Sequence, residues 1–450
     1  MNRVTNMTSG NPMKLILTFS VPLILANFGQ QLYMIVDAII VGRGVGVDAL
    51  AAVGATDWSY WLALWVIQAL TQGFAIPISH HFGSGDSVRL RRSVTMSVRL
   101  CLIIGIIMTA VFLIIARPLL DLLQTPDDIF AGASEYLITM YGGLLIVMAY
   151  NMASSILRAL GDGRTPLVAI AIAAVTNIAL DLIFVFIFHW GIFGAAIATV
   201  TAQLLAFIYC FNVLRKMDLM KMDKEDWIFR KDIAGNQFRL GFPLAVQHIF
   251  VAAGGMILQS AINKHGFIFI AGFTATNKIY GLMESSAISL GYSVSTYTAQ
   301  NYGAGLFSRI KKGLRSSALA GLVFAVIVMA AMIAAGRPIL SLFIDTSGAA
   351  AAETLNIAYH YLFIMSSLLI ALYMLHIFKN TLQGLGDTIT PFISGIMEFA
   401  ARVSMAYLFT ALFGDELIFF AEPTAWIAAA IVLVAVCIIK VKKLPASDQT

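Results

Sequence analysis

The sequence predicts an all-α membrane protein of twelve transmembrane helices in two pseudo-symmetric six-helix lobes. Three observations carry that prediction. Of 450 residues, 59% are hydrophobic and only 12% charged, with a mean hydropathy of +0.85; a soluble domain carries about 25% charged residues. Apolar runs of spanning length, about 20 residues each, recur along the chain. Two stretches also read almost alike: Leu157-Arg158-Ala159-Leu160-Gly161-Asp162-Gly163-Arg164-Thr165-Pro166 and Leu382-Gln383-Gly384-Leu385-Gly386-Asp387-Thr388-Ile389-Thr390-Pro391. Both follow L-x-x-L-G-D-x-x-T-P, and each closes one apolar run and opens the next.

The runs fall at 15–41, 50–79, 94–116, 134–157, 166–188 and 191–213, then at 240–262, 270–300, 316–336, 355–382, 391–413 and 418–439. We number these spans 1 to 12. The predicted organisation is an N-lobe over 1–214, a cytoplasmic linker over 215–237, a C-lobe over 238–440 and a cytoplasmic tail over 441–450. Span 1 contains Asn27, Gln30, Gln31 and Asp37, which makes it too long and too polar for a signal-peptide core. The linker mixes signs, from Arg215 and Asp218 to Glu225 and Asp226, and is expected to be solvated.

The repeat recurs outside the doubled turn. Phe19-Ser20-Val21-Pro22-Leu23 matches Leu240-Gly241-Phe242-Pro243-Leu244, and Gly83-Ser84-Gly85 matches Gly303-Ala304-Gly305. Arg89, Arg91 and Arg92 are echoed by Arg309, Lys311 and Lys312. An even number of spans per half gives both halves one orientation, so the repeat is parallel, about an axis along the membrane normal. Such architecture is typical of secondary transporters.

Charge sets the orientation. With the N-terminus inside, most of the 29 Lys and Arg lie on cytoplasmic segments. Arg43, Arg117, Lys264 and Arg337 are the outside ones, and Asp127, Asp128, Asp415 and Glu416 make the external loops acidic. The net charge of +5 sits in short loops and is no nucleic-acid footprint. Cys101, Cys210 and Cys437 show no pairing or metal-binding spacing.

Ionisable groups inside a bilayer are expensive and therefore functional candidates. Asp37 in span 1 and Asp181 in span 5 stand out. Asn177 lies four residues before Asp181, on the same helical face, and Thr199, Thr201 and Gln203 lie in span 6. Two carboxylates close together in low dielectric hold one proton more cheaply than two charges. Sodium could replace the proton, since hard cations take carboxylate, amide and hydroxyl oxygens. The competing reading has each acid capping a helix or facing water near the membrane surface.

The second half lacks matching acids: Leu258 or Gln259 stands near the counterpart of Asp37, and Ala406 near that of Asp181. Glu398 and Arg402 in span 11 are four apart and could neutralise each other or serve substrate or gating. Lys278 and Glu284 in span 8 pose the same alternative. His80 and His81 read as interfacial. Pro22 and Pro243 interrupt the hydrogen-bond ladder of spans 1 and 7, giving a bend in each. Gly54, Gly73 and Gly291 are expected to allow close helix packing. Tyr33, Tyr150, Met148, Tyr280 and Met256 are candidates to line a substrate cleft, with core packing as the alternative for each. No phosphate-binding loop, H-E-x-x-H pair or nucleophile elbow occurs, so no enzyme and no cofactor is expected.

The twelve spans, the doubled turn and Ala421-Glu422-Pro423-Thr424-Ala425-Trp426 at span 12 resemble the multidrug and toxic compound extrusion (MATE) transporters, nearest the bacterial MepA- and DinF-like branch. The resemblance covers nearly the whole chain. It implies a multi-pass protein of the bacterial plasma (inner) membrane; loop charge puts both termini on the cytoplasmic side, and a repeat that supplies both lobes in one chain favours a monomer. The resemblance implies export of cationic amphiphilic compounds in exchange for H+ or Na+, by alternating access. The family's N-lobe acids fall on Asp37 and Asp181, its accompanying Asn and Thr on Asn177 and Thr199, and its bending proline on Pro22. One branch also carries C-lobe carboxylates in spans 7 and 10. Here Val251 occupies the first region and no acid the second, which points coupling to the N-lobe. The alternative within the wider superfamily is a lipid-linked precursor flippase, which would need basic residues in its cavity beyond Lys278 and Arg402.

Overall fold

The computed structural model describes residues 4–344, 351–445 and 448, with Leu32 described by its backbone alone. Part of the predicted tail (446, 447, 449 and 450) lies outside these residues. Among the described residues there is no β-strand. The helices are α1 (Pro12–Gly44), α2 (Val47–Gly83), α3 (Ser87–Leu122), α4 (Asp127–Gly142), α5 (Leu144–Ala159), α6 (Arg164–Asp181), α7 (Gly191–Arg215), α8 (Lys231–Ile262), α9 (Phe267–Gly303), α10 (Phe307–Leu340), α11 (Ala351–Ser367), α12 (Leu369–Gly384), α13 (Ile389–Val403), α14 (Thr410–Phe413) and α15 (Ala421–Lys443).

Twelve spans are recovered from these helices. α4 and α5 form span 4, bent by 46°, and α11 and α12 form span 10, bent by 47°. The first bend falls at Gly142-Gly143. A Cβ on Gly143 would come within 2.5 Å of Val200, so α7 packs directly against the break. Nine helices among the described residues are long and apolar enough to cross a membrane, and eleven spans are reached when each bent pair is joined. α9 supplies the twelfth. It is 37 residues long, and Ser285, Ser286, Ser289, Ser293, Ser295, Thr296, Thr298, Gln300 and Asn301 are all buried along it. Several return their hydroxyls to the carbonyl one turn back, as Ser289 Oγ does to Ser285 O at 2.7 Å. Hydropathy undercounts such a helix, because its polar atoms are satisfied within it.

The doubled sequence is a doubled turn. Gly161 and Gly386 have φ of +81° and +82°, the left-handed conformation that ends a helix. Asp162 N–H donates to Leu157 O at 2.9 Å, and Asp387 N–H to Leu382 O at 2.9 Å, closing both helix ends the same way. Each aspartate then caps the next helix. Asp162 Oδ1 accepts from Thr165 N at 2.9 Å and its Oδ2 from Thr165 Oγ1 at 2.5 Å; Asp387 repeats this with Thr390 at 3.1 and 2.6 Å. A proline within the first turn suits a helix start, where its missing N–H has no intrahelical acceptor.

The chain divides into two compact units, Met1–Asn6 with Val21–Ala245, and Met7–Ser20 with Val246–Thr450. Both divisions inside a helix fall next to a proline: in α1 one residue before Pro22, in α8 two after Pro243. Helical structure continues through both prolines. In the first unit, the start of α8 is tied to α3 by buried Gln237, whose Nε2 donates to Ser93 O and Ser97 Oγ, each at 2.8 Å.

The linker is not simply solvated. It forms two short 3-10 turns, Asp218–Met220 and Lys224–Trp227. Asp226 is buried against α3, where Arg91 Nε reaches its Oδ2 at 2.8 Å and Thr95 Oγ1 donates to its backbone carbonyl at 2.5 Å. Burial works against its charge, but the Asp223 N–H and the Arg91 side chain outweigh that and hold the carboxyl below its ordinary value. The second unit repeats the device: Asp448 in the tail accepts from Ser308 N at 2.8 Å and Ser308 Oγ at 2.6 Å, capping α10.

Close packing holds at Gly73, where a Cβ would lie 2.4 Å from Gly241 Cα, and at Gly291, 2.4 Å from Asn380 Nδ2. Gly54 has nothing within 4 Å of such a Cβ, so close packing does not account for it.

Candidate ion-coupling site

Three helices of the first unit each present two side chains one turn apart. α1 presents Tyr33 and Asp37, α6 presents Asn177 and Asp181, and α7 presents Thr199 and Gln203. Such spacing puts both members of a pair on one face. The six side chains then close a ring. Asp37 and Asp181 lie within hydrogen-bonding reach of each other. Asn177 Nδ2 donates to Thr199 Oγ1 at 3.2 Å. Gln203 meets the Tyr33 hydroxyl. Asp181 and Asn177 are buried, at 0% and 1% exposure.

The ring is short of donors. Asp37 Oδ1, Asn177 Oδ1 and both Asp181 carboxylate oxygens are buried without a hydrogen-bond donor among the described residues. Uncompensated burial of such groups costs several kcal/mol each by order of magnitude. A shared proton, or a monovalent cation, satisfies that oxygen set. Among the described residues no group of three or more His, Cys, Asp or Glu gathers as a metal site; the ring offers two carboxylates, two amides and two hydroxyls. Asp181 is also the last residue of its α-helical stretch; Leu182–Ile187 continues as a wider π-helical turn. Such turns are frequent at functional sites, and nothing in the periodicity of span 5 announces this one.

The second-unit candidates arrange themselves differently from the sequence pairing. Arg402 Nη2 reaches Glu422 Oε2 on α15 at 2.8 Å, and its Nη1 donates to Val251 O on α8 at 3.1 Å. The self-contained Glu398–Arg402 pair is therefore replaced by a cross-helix one. Glu398 is buried, and Lys379 on α12 is the first charge acting on it. Glu284 is set among Tyr280, Glu422, Lys379 and Arg402, whereas Lys278 is exposed and does not join them. Sequence reasoning missed Lys379 and Glu422. The signal for Lys379 was present: a lone cation in an apolar span, judged by the rule that singled out the acids. Met148 and Tyr150 belong to the first unit's core, and Tyr280 stacks on Trp426 at 5.5 Å. His80 and His81 occupy the last turn of α2.

Two six-span halves with the same doubled turn, and buried ionisable clusters in their interiors, define a multi-pass membrane transporter fold. The MatE family profile matches residues 22–183 and again 243–408, once per half, and the chain belongs to this family of multidrug efflux transporters. A relative named a probable multidrug resistance protein, YpnP of Bacillus subtilis, is 30% identical over 308 residues, 67% of this chain and 68% of its own. The multidrug export protein MepA of Staphylococcus saprophyticus is 22% identical over 400 residues, 88% of this chain and 87% of its own. Among solved structures, a MATE protein in the bent conformation superposes with a TM-score of 0.90 at 22% identity, covering 99% of this chain and 98% of that one.

Proposed function

We propose that the protein is an antiporter that exports cationic amphiphilic compounds, and that the inward ion, H+ or Na+, is taken by the ring of Asp37, Asn177, Asp181 and Thr199. The observation that carries this reading is the set of four buried acceptor oxygens without donors. An arriving cation supplies the missing positive charge and draws the α1 and α6 carboxylates together. Leaving, it restores their repulsion. The site thus has two electrostatic states, and the ion biases the protein between them by binding one more tightly. Pro22 lies on the same helix as Asp37 and leaves one backbone hydrogen bond of α1 unmade, so a change at Asp37 has a soft point through which to act. Both termini are on the cytoplasmic side of a bacterial plasma membrane in this reading, and one chain suffices.

A lipid-linked precursor flippase is the second reading. A pyrophosphate needs cations free to meet it. Among the described residues of the second unit, buried Arg402 and half-buried Lys379 already have carboxylates acting on them, which favours the drug antiporter.

The test is efflux of a fluorescent cationic dye from proteoliposomes under an inward proton or an inward sodium gradient. Wild type should expel dye with one gradient, and Asp37→Asn and Asp181→Asn should each fall to the level of protein-free vesicles. Efflux that survives both substitutions would move the coupling site elsewhere.

A further inference from the structure

The doubled turn supplies a register between the halves. Counted from Thr165 and from Thr390, Asn177 and Arg402 occupy the same place, as do Asp181 and Ala406, and Thr199 and Thr424. Counted from Pro22 and Pro243, Asp37 corresponds to Leu258. The second half has therefore lost both acids and gained an arginine at the position of the ion-ring amide.

The surroundings of Arg402 match that substitution. Arg402 is 4% exposed. It lies against α8 at Gly254, where a Cβ would come within 2.8 Å of Nη1. The carbonyl of Val251 and the carboxylate of Glu422 take its protons. In the first unit the corresponding helices, α1, α6 and α7, offer oxygens with no donor; in the second, α8 and α15 offer oxygens that a cation tethered to α13 already holds. A π-helical turn, Ser404–Phe409, follows Arg402 as one follows Asp181.

We propose that Arg402 is the resident cation of the C-lobe. Its guanidinium fills, permanently, the place that the transported ion fills in the N-lobe, and this confines ion exchange to one half of the molecule. The proposal rests on the reading of the N-lobe ring as the ion site. Replacing Arg402 by the residue its counterpart carries should then reopen a cation site, with Glu422 as its carboxylate. The charged and titratable groups around it are Glu398 on α13, Tyr280 and Glu284 on α9, Tyr361 on α11, Lys379 on α12 and Glu422 on α15.

The experiment uses the full-length protein in detergent, wild type and Arg402→Asn, each with and without Asp181→Asn. Thermal stability is followed against sodium concentration and against pH, and cations bound per chain are counted with radioactive sodium and by proton uptake. Arg402→Asn should bind one more cation per chain than wild type, and its melting temperature should rise with added sodium or falling pH by more than wild type's does. The gain should persist beside Asp181→Asn, which removes only the N-lobe contribution. A folded Arg402→Asn protein with the wild-type count and the wild-type response would overturn the proposal. Loss of cation dependence from wild type on Asp181→Asn tests the N-lobe reading separately. Should Arg402→Asn not fold under any condition, Arg402→Asn/Glu422→Gln removes both charges and should recover folding. Failure of that variant too would make Arg402 a packing residue and sink the idea.

Discussion

The two halves share a turn, a register and a fold, yet they treat buried charge in opposite ways. The first gathers two aspartates, two amides, a threonine and a tyrosine from three helices and leaves five of their buried oxygens without a donor among the described residues. The second sets opposite charges together: Arg402 closes on Glu422 at 2.8 Å, and Lys379 is the first charge acting on Glu398. An acceptor-rich ring costs free energy until a cation arrives, which is what a site that must bind and release an ion needs. A closed ion pair has made its exchange within the chain. The frame occurs twice, and a few buried side chains distinguish its two copies.

The largest expected effect tests the closed half. Arg402→Ala would leave Glu422, only 14% exposed, unpaired, at a cost of about 3 kcal/mol, whereas Arg402→Met with Glu422→Leu should be near neutral, as for other buried pairs replaced together. The comparison is read from thermal unfolding of the purified variants. If single and double variants lose the same stability, the pair is not what holds that place.

A smaller effect separates the two turns. Gly386→Ala should cost about 1 kcal/mol, the penalty of a side chain in the left-handed region. Gly161→Ala should cost clearly more, because its Cβ would also fall 2.1 Å from Thr5 O on the N-terminal segment. Equal melting temperatures would contradict that packing.

The smallest concerns the linker. Asp226 is held below the ordinary carboxylate value, about 4. Its contribution to docking is therefore fully present above that value and is lost as the pH falls through the lower, folded-state one. Hydrogen exchange at residues 218–227 should accelerate only at acid pH, and Asp226→Asn should exchange quickly at neutral pH as well.

Much of the fold was legible because lipid is an uncompromising solvent: apolar runs, loop charge and the doubled turn each have a single physical cause. α9 was found by length although its serines dilute its hydropathy. The bends at Gly142-Gly143 and near Ser367 left no periodic signal, since a helix that breaks and resumes keeps its composition. For the first-unit ring the sequence offered the members, through turn-spaced pairs and the cost of intramembrane acids, while the contacts between helices had to come from packing. For the second unit it misled. Glu398 and Arg402 are correctly spaced on one helix, but local spacing says nothing about Glu422, which lies on another helix and is the better-placed carboxylate.

The most direct measurement of the difference between the halves is site mapping with a carbodiimide, which couples to buried carboxyls only when they carry a proton. The protein in membranes would be treated near neutral pH, digested, and its modified residues identified by mass spectrometry. The account predicts modification at Asp37 or Asp181, diminished by added sodium or raised pH, and none at Glu422, which Arg402 holds. Modification of Glu422 with both aspartates spared would contradict it.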